Sequence, residues 1–334
     1  MATFPEVRMG AMTQASQFSG RDLVSLADFS PAEIAHVLET ASQLKADPLA
    51  YSQALAGKQI VLFFEKPSLR TRITFESGIH SLGGVSFFID QTASRLGARE
   101  PLDDMAHNLE RWIDGIVLRT YLHDTVTAMA KHASVPVINA LSEMEHPCQA
   151  LADLLTLREH FGEDLHGLRF TYVGDGNNVA HSLMLAIVSV GGHVAIATPR
   201  HYEPQQFFVG RAQQIAQQTG GSVRVTNDVA EAVRGVNAVY TDVWASMGQE
   251  EEAAERRRIF APYQVNAELF ALADKDAVFM HCLPAHRGDE VTAGVIDSKS
   301  SVVFDEAENR LHAQKAIMLL LLDGCGRARQ SKTL

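Results

Sequence analysis

The feature that most constrains the fold is a rhythm that runs through the chain twice. Short apolar runs of strand length alternate with longer segments of helical spacing, first over residues 59–139 and again over 170–304. Residues 59–64, 85–89, 115–119 and 135–139 read as strands, with helices over 68–83, 102–112 and 125–132 between them. After a helix over 147–160, strands are expected at 170–173, 194–197, 223–226, 238–241, 278–280 and 302–304, with a helix over 179–190. A last helix is expected over 309–321. Alternation of this kind forms a parallel sheet covered by helices. The chain has 334 residues, more than one ordinary core organises. The expected architecture is therefore α/β, two open parallel-sheet domains with the active site in the cleft between them. The boundaries read as 1–147 and 148–308, with a C-terminal helix of about 309–334 packing back on the first domain.

Local chemistry agrees with these starts. Ser30-Pro31-Ala32-Glu33 has the form of a capping box with proline at the first helical position. With 29 Lys and Arg against 40 Asp and Glu, the net charge is −11. Such a chain repels nucleic acid and anionic membranes, so neither is expected as a partner. An anionic substrate must be captured by local basic groups. Cys148, Cys282 and Cys325 are odd in number and without paired spacing, which suits a reducing compartment. With no secretory signal evident, the expected location is cytoplasmic.

Several segments carry chemistry. Ser68-Leu69-Arg70-Thr71-Arg72 follows a strand and opens a helix, where backbone amides, hydroxyls and the Arg70 fork suit phosphate oxygens. An N-cap serine with solvated arginines fits the same letters, and Arg72 has Glu76 four residues on. Arg119 ends an apolar strand. His146-Pro147-Cys148-Gln149 opens a helix near the domain junction, with His146 and Gln149 three apart and able to face one ligand. A His donor there suits a carbonyl oxygen gaining charge, although a lone His is more often structural.

Gly174-Asp175-Gly176-Asn177-Asn178 looks superficially like a dinucleotide turn. Val179 stands where a third glycine is needed, and the next strand ends without a ribose-binding acid. Asn178 is read instead as a ligand group. Asp242, beside Ser246-Met247-Gly248, suits an ammonium group or a helix cap. His281-Cys282-Leu283-Pro284 ends a strand, and with His286 it lacks a structural zinc spacing. Arg310 opens the last helix. The charged run over 250–258 reads either as a mobile flap or as a solvated helix.

Together these segments resemble the ornithine carbamoyltransferase family, in the family's order and over nearly the whole chain beyond about Ser25. To those quoted the match adds Phe64-Glu65-Lys66-Pro67, Ala150-Leu151-Ala152-Asp153, Val243-Trp244-Ala245, Gln249 and Asp305-Glu306-Ala307-Glu308-Asn309. The resemblance implies that Ser68, Leu69, Arg70, Thr71, Arg119, His146, Gln149 and Arg310 bind carbamoyl phosphate, with Cys282 and Leu283 where the substrates meet. Asn178, Asp242, Ser246 and Met247 would hold ornithine. Arg70, Arg119, His146 and Cys282 would be catalytic, by direct acyl transfer without a covalent cysteine intermediate.

The resemblance also implies a homotrimer, or a multiple of trimers, with sites completed by a neighbour's loop, and neither metal nor organic cofactor. Two departures stand out. Leu69 replaces a threonine, and Arg95 replaces the neighbour-donated glutamine, so Arg95 is expected to contact phosphate across the subunit interface. The rival acceptors are aspartate, putrescine and an N-acylated ornithine. The rival classes are a nicotinamide oxidoreductase and a non-catalytic carbamoyl-phosphate-binding relative.

Overall fold

The computed structural model describes residues 18–245 and 250–322. The chain divides into two compact units. One comprises the chain up to Val24, Glu39–Ser142 and the chain from Leu311; the other comprises Ser25–Leu38 and Glu143–Arg310.

The first unit holds four parallel strands: β1 (Gln59–Phe64), β2 (Val85–Asp90), β3 (Gly115–Arg119) and β4 (Val137–Leu141), in the order β2-β1-β3-β4. β1, β3 and β4 are almost wholly buried, as near-continuous apolar runs covered on both faces must be. β2 is an edge strand and differs. Val85, Phe87 and Ile89 alternate onto one face and are 48%, 44% and 38% exposed. β4 lies two residues later than its sequence predicts. The Leu23 N–H donates to the Val137 carbonyl and the Asn139 N–H to the Leu23 carbonyl, so this strand is paired on its far side as well.

The second unit holds β5 (Arg169–Val173), β6 (His193–Ala197), β7 (Ser222–Thr226), β8 (Ala238–Thr241) and β9 (Val278–Met280), all parallel, in the order β7-β6-β5-β8-β9. The apolar run at 302–304 is not a strand. Ser301 makes a single bridge to Phe279, and the helix Val303–Leu322 begins at once, six residues before its predicted start. Asp305 and Glu306 in its first turn favour that start by complementing the helix dipole. The capping box at Ser30 forms: Ser30 N–H donates to Glu33 Oε2 at 2.7 Å, and Glu33 N–H to Ser30 Oγ at 3.3 Å.

In each sheet the chain leaves a central strand in two directions. These switch points lie between β1 and β3 and between β5 and β8. Open parallel sheets place ligands beyond the carboxyl ends of their strands at such points.

Candidate functional site

In the first unit the switch point carries the basic residues. Ser68 caps the helix Leu69–Ser81, its Oγ accepting from the Thr71 N–H at 3.2 Å. That leaves the amides of Leu69 and Arg70 as first-turn donors with no intrahelical carbonyl to meet. Thr71 is buried, whereas the Leu69 side chain is 75% exposed, so Leu69 offers a ligand only its backbone. Arg119, at the end of β3, is buried, and its carbonyl accepts from the Glu65 N–H. Arg72 pairs with Glu76 at 3.1 Å, the bland role its spacing suggests.

Glu65 belongs to a segment of the resemblance but has no role that the sequence assigns. Its two buried oxygens accept from the N–H groups of Leu96 and Tyr121 at 2.7 and 2.8 Å, tying the loop after β2 to the end of β3. Arg95, beside Leu96, lies over the Tyr121 ring at 5.0 Å, and Lys66 lies over the same ring at 4.8 Å.

In the second unit His146 stands at the N-cap position of the helix Pro147–Phe161 without a side-chain cap bond, and its backbone N–H donates to Ser182 Oγ at 2.9 Å. Gln149 is buried one turn on, and its Nε2 donates to Asp153 Oδ1 and Glu306 Oε1 at 2.8 and 2.9 Å. Arg310 is buried in the helix Val303–Leu322.

At the β5/β8 switch point Asp242 is buried. Its Oδ2 accepts from Asn177 Nδ2 at 3.0 Å and its Oδ1 from the Cys282 thiol at 3.2 Å. Burial, and then the Asp242 carboxylate, push the Cys282 thiol well above its usual range, so it is a neutral donor and not a thiolate. Asn178, the predicted ligand, opens the helix Asn178–Ser189, and its Oδ1 accepts from the Val179 N–H. Its neighbour Asn177 caps that helix and grips Asp242, a role the sequence did not reveal. Ser246 and Met247 lie outside the described residues.

The glycine turn before this helix is shaped by protein packing. A Cβ on Gly176 would meet the backbone of Glu203 and Pro204 at 2.6 and 2.3 Å. The bare backbone there accommodates residues 203–204, which removes the support for a dinucleotide turn.

The loop Ser246-Met247-Gly248 lies outside the described residues, and the charged run after it is not a wholly solvated helix. Arg256, in the helix Ala253–Phe260, is buried, donating to Asp175 Oδ2 at 2.8 Å and to the Trp244 carbonyl at 3.0 Å. It thereby binds the glycine turn to the segment that follows Asp242.

Beyond β9, Leu283 takes a left-handed φ of 57°, a costly conformation for a branched residue. His281 holds it there. His281 Nδ1 accepts from the Leu283 N–H at 2.9 Å, and Nε2 faces Glu290 at 3.1 Å. Donor atoms of Asp242, His281 and Cys282 lie within 4.8 Å of one another. Both His281 nitrogens are engaged, so a cation there would have to displace one of these bonds.

Two parallel α/β units, one with free first-turn amides beside basic residues and one with a buried carboxylate at its switch point, suit a group-transfer enzyme. Residues 21–159 match the carbamoyl-P binding domain of aspartate/ornithine carbamoyltransferases, and residues 166–321 match their Asp/Orn binding domain. The chain belongs to the aspartate/ornithine carbamoyltransferase family. Among its relatives, the ornithine carbamoyltransferase of Carboxydothermus hydrogenoformans is 52% identical over 92% of this chain and 99% of its own length. That of Thermococcus kodakarensis is 51% identical over 92% and 98%. The solved ornithine carbamoyltransferase of Pyrococcus furiosus is 49% identical, covers 92% of this chain and 98% of its own, and superposes with a TM-score of 0.89.

Proposed function

We propose that this chain transfers the carbamoyl group of carbamoyl phosphate to the side-chain amine of L-ornithine, giving citrulline and phosphate. The observation that carries the choice of acceptor is Asp242. A buried carboxylate held by Asn177 and Cys282 suits the α-ammonium group of an amino acid with a free α-amine. It opposes the second carboxylate of aspartate, which calls for basic groups instead.

On the donor side, the amides of Leu69 and Arg70, the Ser68 and Thr71 hydroxyls and the Arg70 guanidinium bind the phosphate. Arg70 and Arg119 draw charge off it and make it a better leaving group. His146 and Thr71 donate to the carbamoyl oxygen as it becomes tetrahedral, Gln149 accepts from the carbamoyl nitrogen, and Arg310 adds positive charge. Cys282 and the backbone of Leu283 meet the reacting centre, while Asn178, Ser246 and Met247 complete the hold on ornithine. The amine attacks in its neutral form and the departing phosphate takes its proton, so no metal, cofactor or covalent thiol adduct enters.

The test is citrulline formation with ornithine, putrescine, N-acetylornithine and aspartate offered in parallel. Selective use of ornithine is expected. Use of another amine would refute the reading of Asp242, and binding of carbamoyl phosphate without any turnover would favour a non-catalytic relative.

The working assembly is a homotrimer in the cytoplasm, with Arg95 of each chain reaching the phosphate of a neighbour. Cys148 and Cys282 are thiols rather than halves of a disulfide, which suits a reducing compartment. The exposed stripe of Val85, Phe87 and Ile89 on an edge strand is the kind of surface a second copy covers. Phe87→Asp is expected to shift the mass in light scattering from three chains to one. An unchanged mass would place the interface elsewhere.

A further inference from the structure

Gln149 raises a question that its place in the site does not answer. An amide side chain can be held in two orientations, and only one of them offers an acceptor. Both hydrogens of Gln149 Nε2 are used, toward Asp153 Oδ1 at 2.8 Å and Glu306 Oε1 at 2.9 Å. Among the described residues its Oε1 is buried and accepts no hydrogen bond. The two carboxyls come from distant segments, Asp153 from one turn further along the Gln149 helix and Glu306 from the first turn of the helix Val303–Leu322.

Glu306 is itself fixed. Its Oε1 accepts from the Tyr240 hydroxyl at 3.1 Å and its Oε2 from the His281 N–H at 2.9 Å. Both carboxyls are fully buried. Burial, and then the neighbouring Glu306, raise Asp153 well above the carboxylate range. The pair therefore presents acceptor oxygens to Gln149, and a reversed amide would set its carbonyl against them.

Resting on the carbamoyl-transfer reading, we propose that Asp153 and Glu306 are positioning residues that lock Gln149 with Oε1 as the free acceptor, and so make the site select an acyl phosphate bearing –NH2 over one bearing –CH3. A carbamoyl group fills the orphaned acceptor with an N–H. An acetyl group of nearly the same shape leaves it buried and unpaired, which is the costly alternative. On this proposal the pair acts on the choice of acyl phosphate through the Gln149 amide.

The experiment compares the KM for carbamoyl phosphate with the inhibition constant of acetyl phosphate as its competitor, in wild type and three variants. Gln at position 306 can turn its own N–H toward Gln149 and stabilise the reversed amide. Glu306→Gln is therefore expected to raise the KM for carbamoyl phosphate about ten- to hundredfold, with acetyl phosphate inhibition changed less than about threefold. Asp153→Asn keeps an acceptor toward Gln149 in a side chain of the same shape, and is expected to keep wild-type selectivity. Asp153→Leu has no acceptor and is expected to lose it.

The contrast between Asp153→Asn and Asp153→Leu stands even if the Glu306 variant does not fold. Equal weakening of both ligands in Asp153→Leu, or selectivity preserved in it, overturns the proposal. Failure of the wild type to form citrulline would instead overturn the underlying reading, so the two failures are distinguishable.

Discussion

Replacing Asp242 by asparagine lowers kcat/KM for ornithine by about two to three orders of magnitude, because removing one partner of a buried charge pair costs roughly 2–5 kcal/mol. The KM for carbamoyl phosphate moves little, since the donor ligands assigned here are other residues. Two losses combine. On the proposed reading the ornithine ammonium loses its counter-charge, and the local network loses an acceptor. In the wild type both Asp242 oxygens are used, one by the Asn177 amide and one by the Cys282 thiol. Asparagine keeps one acceptor and turns an NH2 toward a group that is itself a donor. Initial rates with both substrates varied separate the terms. A loss shared equally by both substrates would mean that Asp242 organises the fold of the β8 end and does not bind the acceptor.

The contrast between what the sequence foretold at this site and what it did not has a physical cause. The strand-end positions of Ser68, Arg119, Asp242 and Cys282 were legible because each follows an apolar strand of recognisable length, which makes them candidates for the ligand side of the sheet. The two sheets were legible for the same reason. The run at 302–304 was misread because three apolar residues bounded by polar ones fit a buried strand or a buried helix turn equally, and periodicity cannot separate them. Arg256 was hidden by its setting. In a run of three adjacent arginines the sequence does not show which one Asp175, 81 positions earlier, draws into the interior. The capping role of Asn177 was not legible because two adjacent asparagines look alike until the helix start decides which is the cap. The Asp153–Glu306 pair is a tertiary fact, hinted at only by the four-residue spacing of Gln149 and Asp153 on one helix face.

Glu145→Gln stabilises the protein at pH 8 and leaves it nearly unchanged at pH 5. Glu145 is fully buried, and burial raises its pKa from 4.5 to about 7. Its Oε2 accepts from the Leu26 N–H and from the Ser182 hydroxyl, both at 3.2 Å, and the Ser25 side chain also bonds it. These bonds lower the pKa, Asp28 raises it, and desolvation outweighs them. The sign follows from linkage. A carboxyl whose folded pKa exceeds its unfolded one holds its proton more tightly in the native state. Its stabilising contribution is whole below the unfolded value near 4.5 and is lost as pH rises through about 7. At pH 8 the native protein therefore carries a penalty on the order of 3 kcal/mol, from 1.36 kcal/mol per pKa unit. Glutamine has a similar shape, still accepts hydrogen bonds and never ionises, so the penalty disappears. Urea unfolding at the two pH values measures it directly, and a difference between wild type and variant that is the same at both would sink the argument. That the chain keeps a carboxyl here despite the penalty has a local rationale. The Ser182 hydroxyl that donates to Glu145 accepts the His146 N–H at 2.9 Å, so the buried carboxyl orients the hydroxyl that fixes His146 at its helix start.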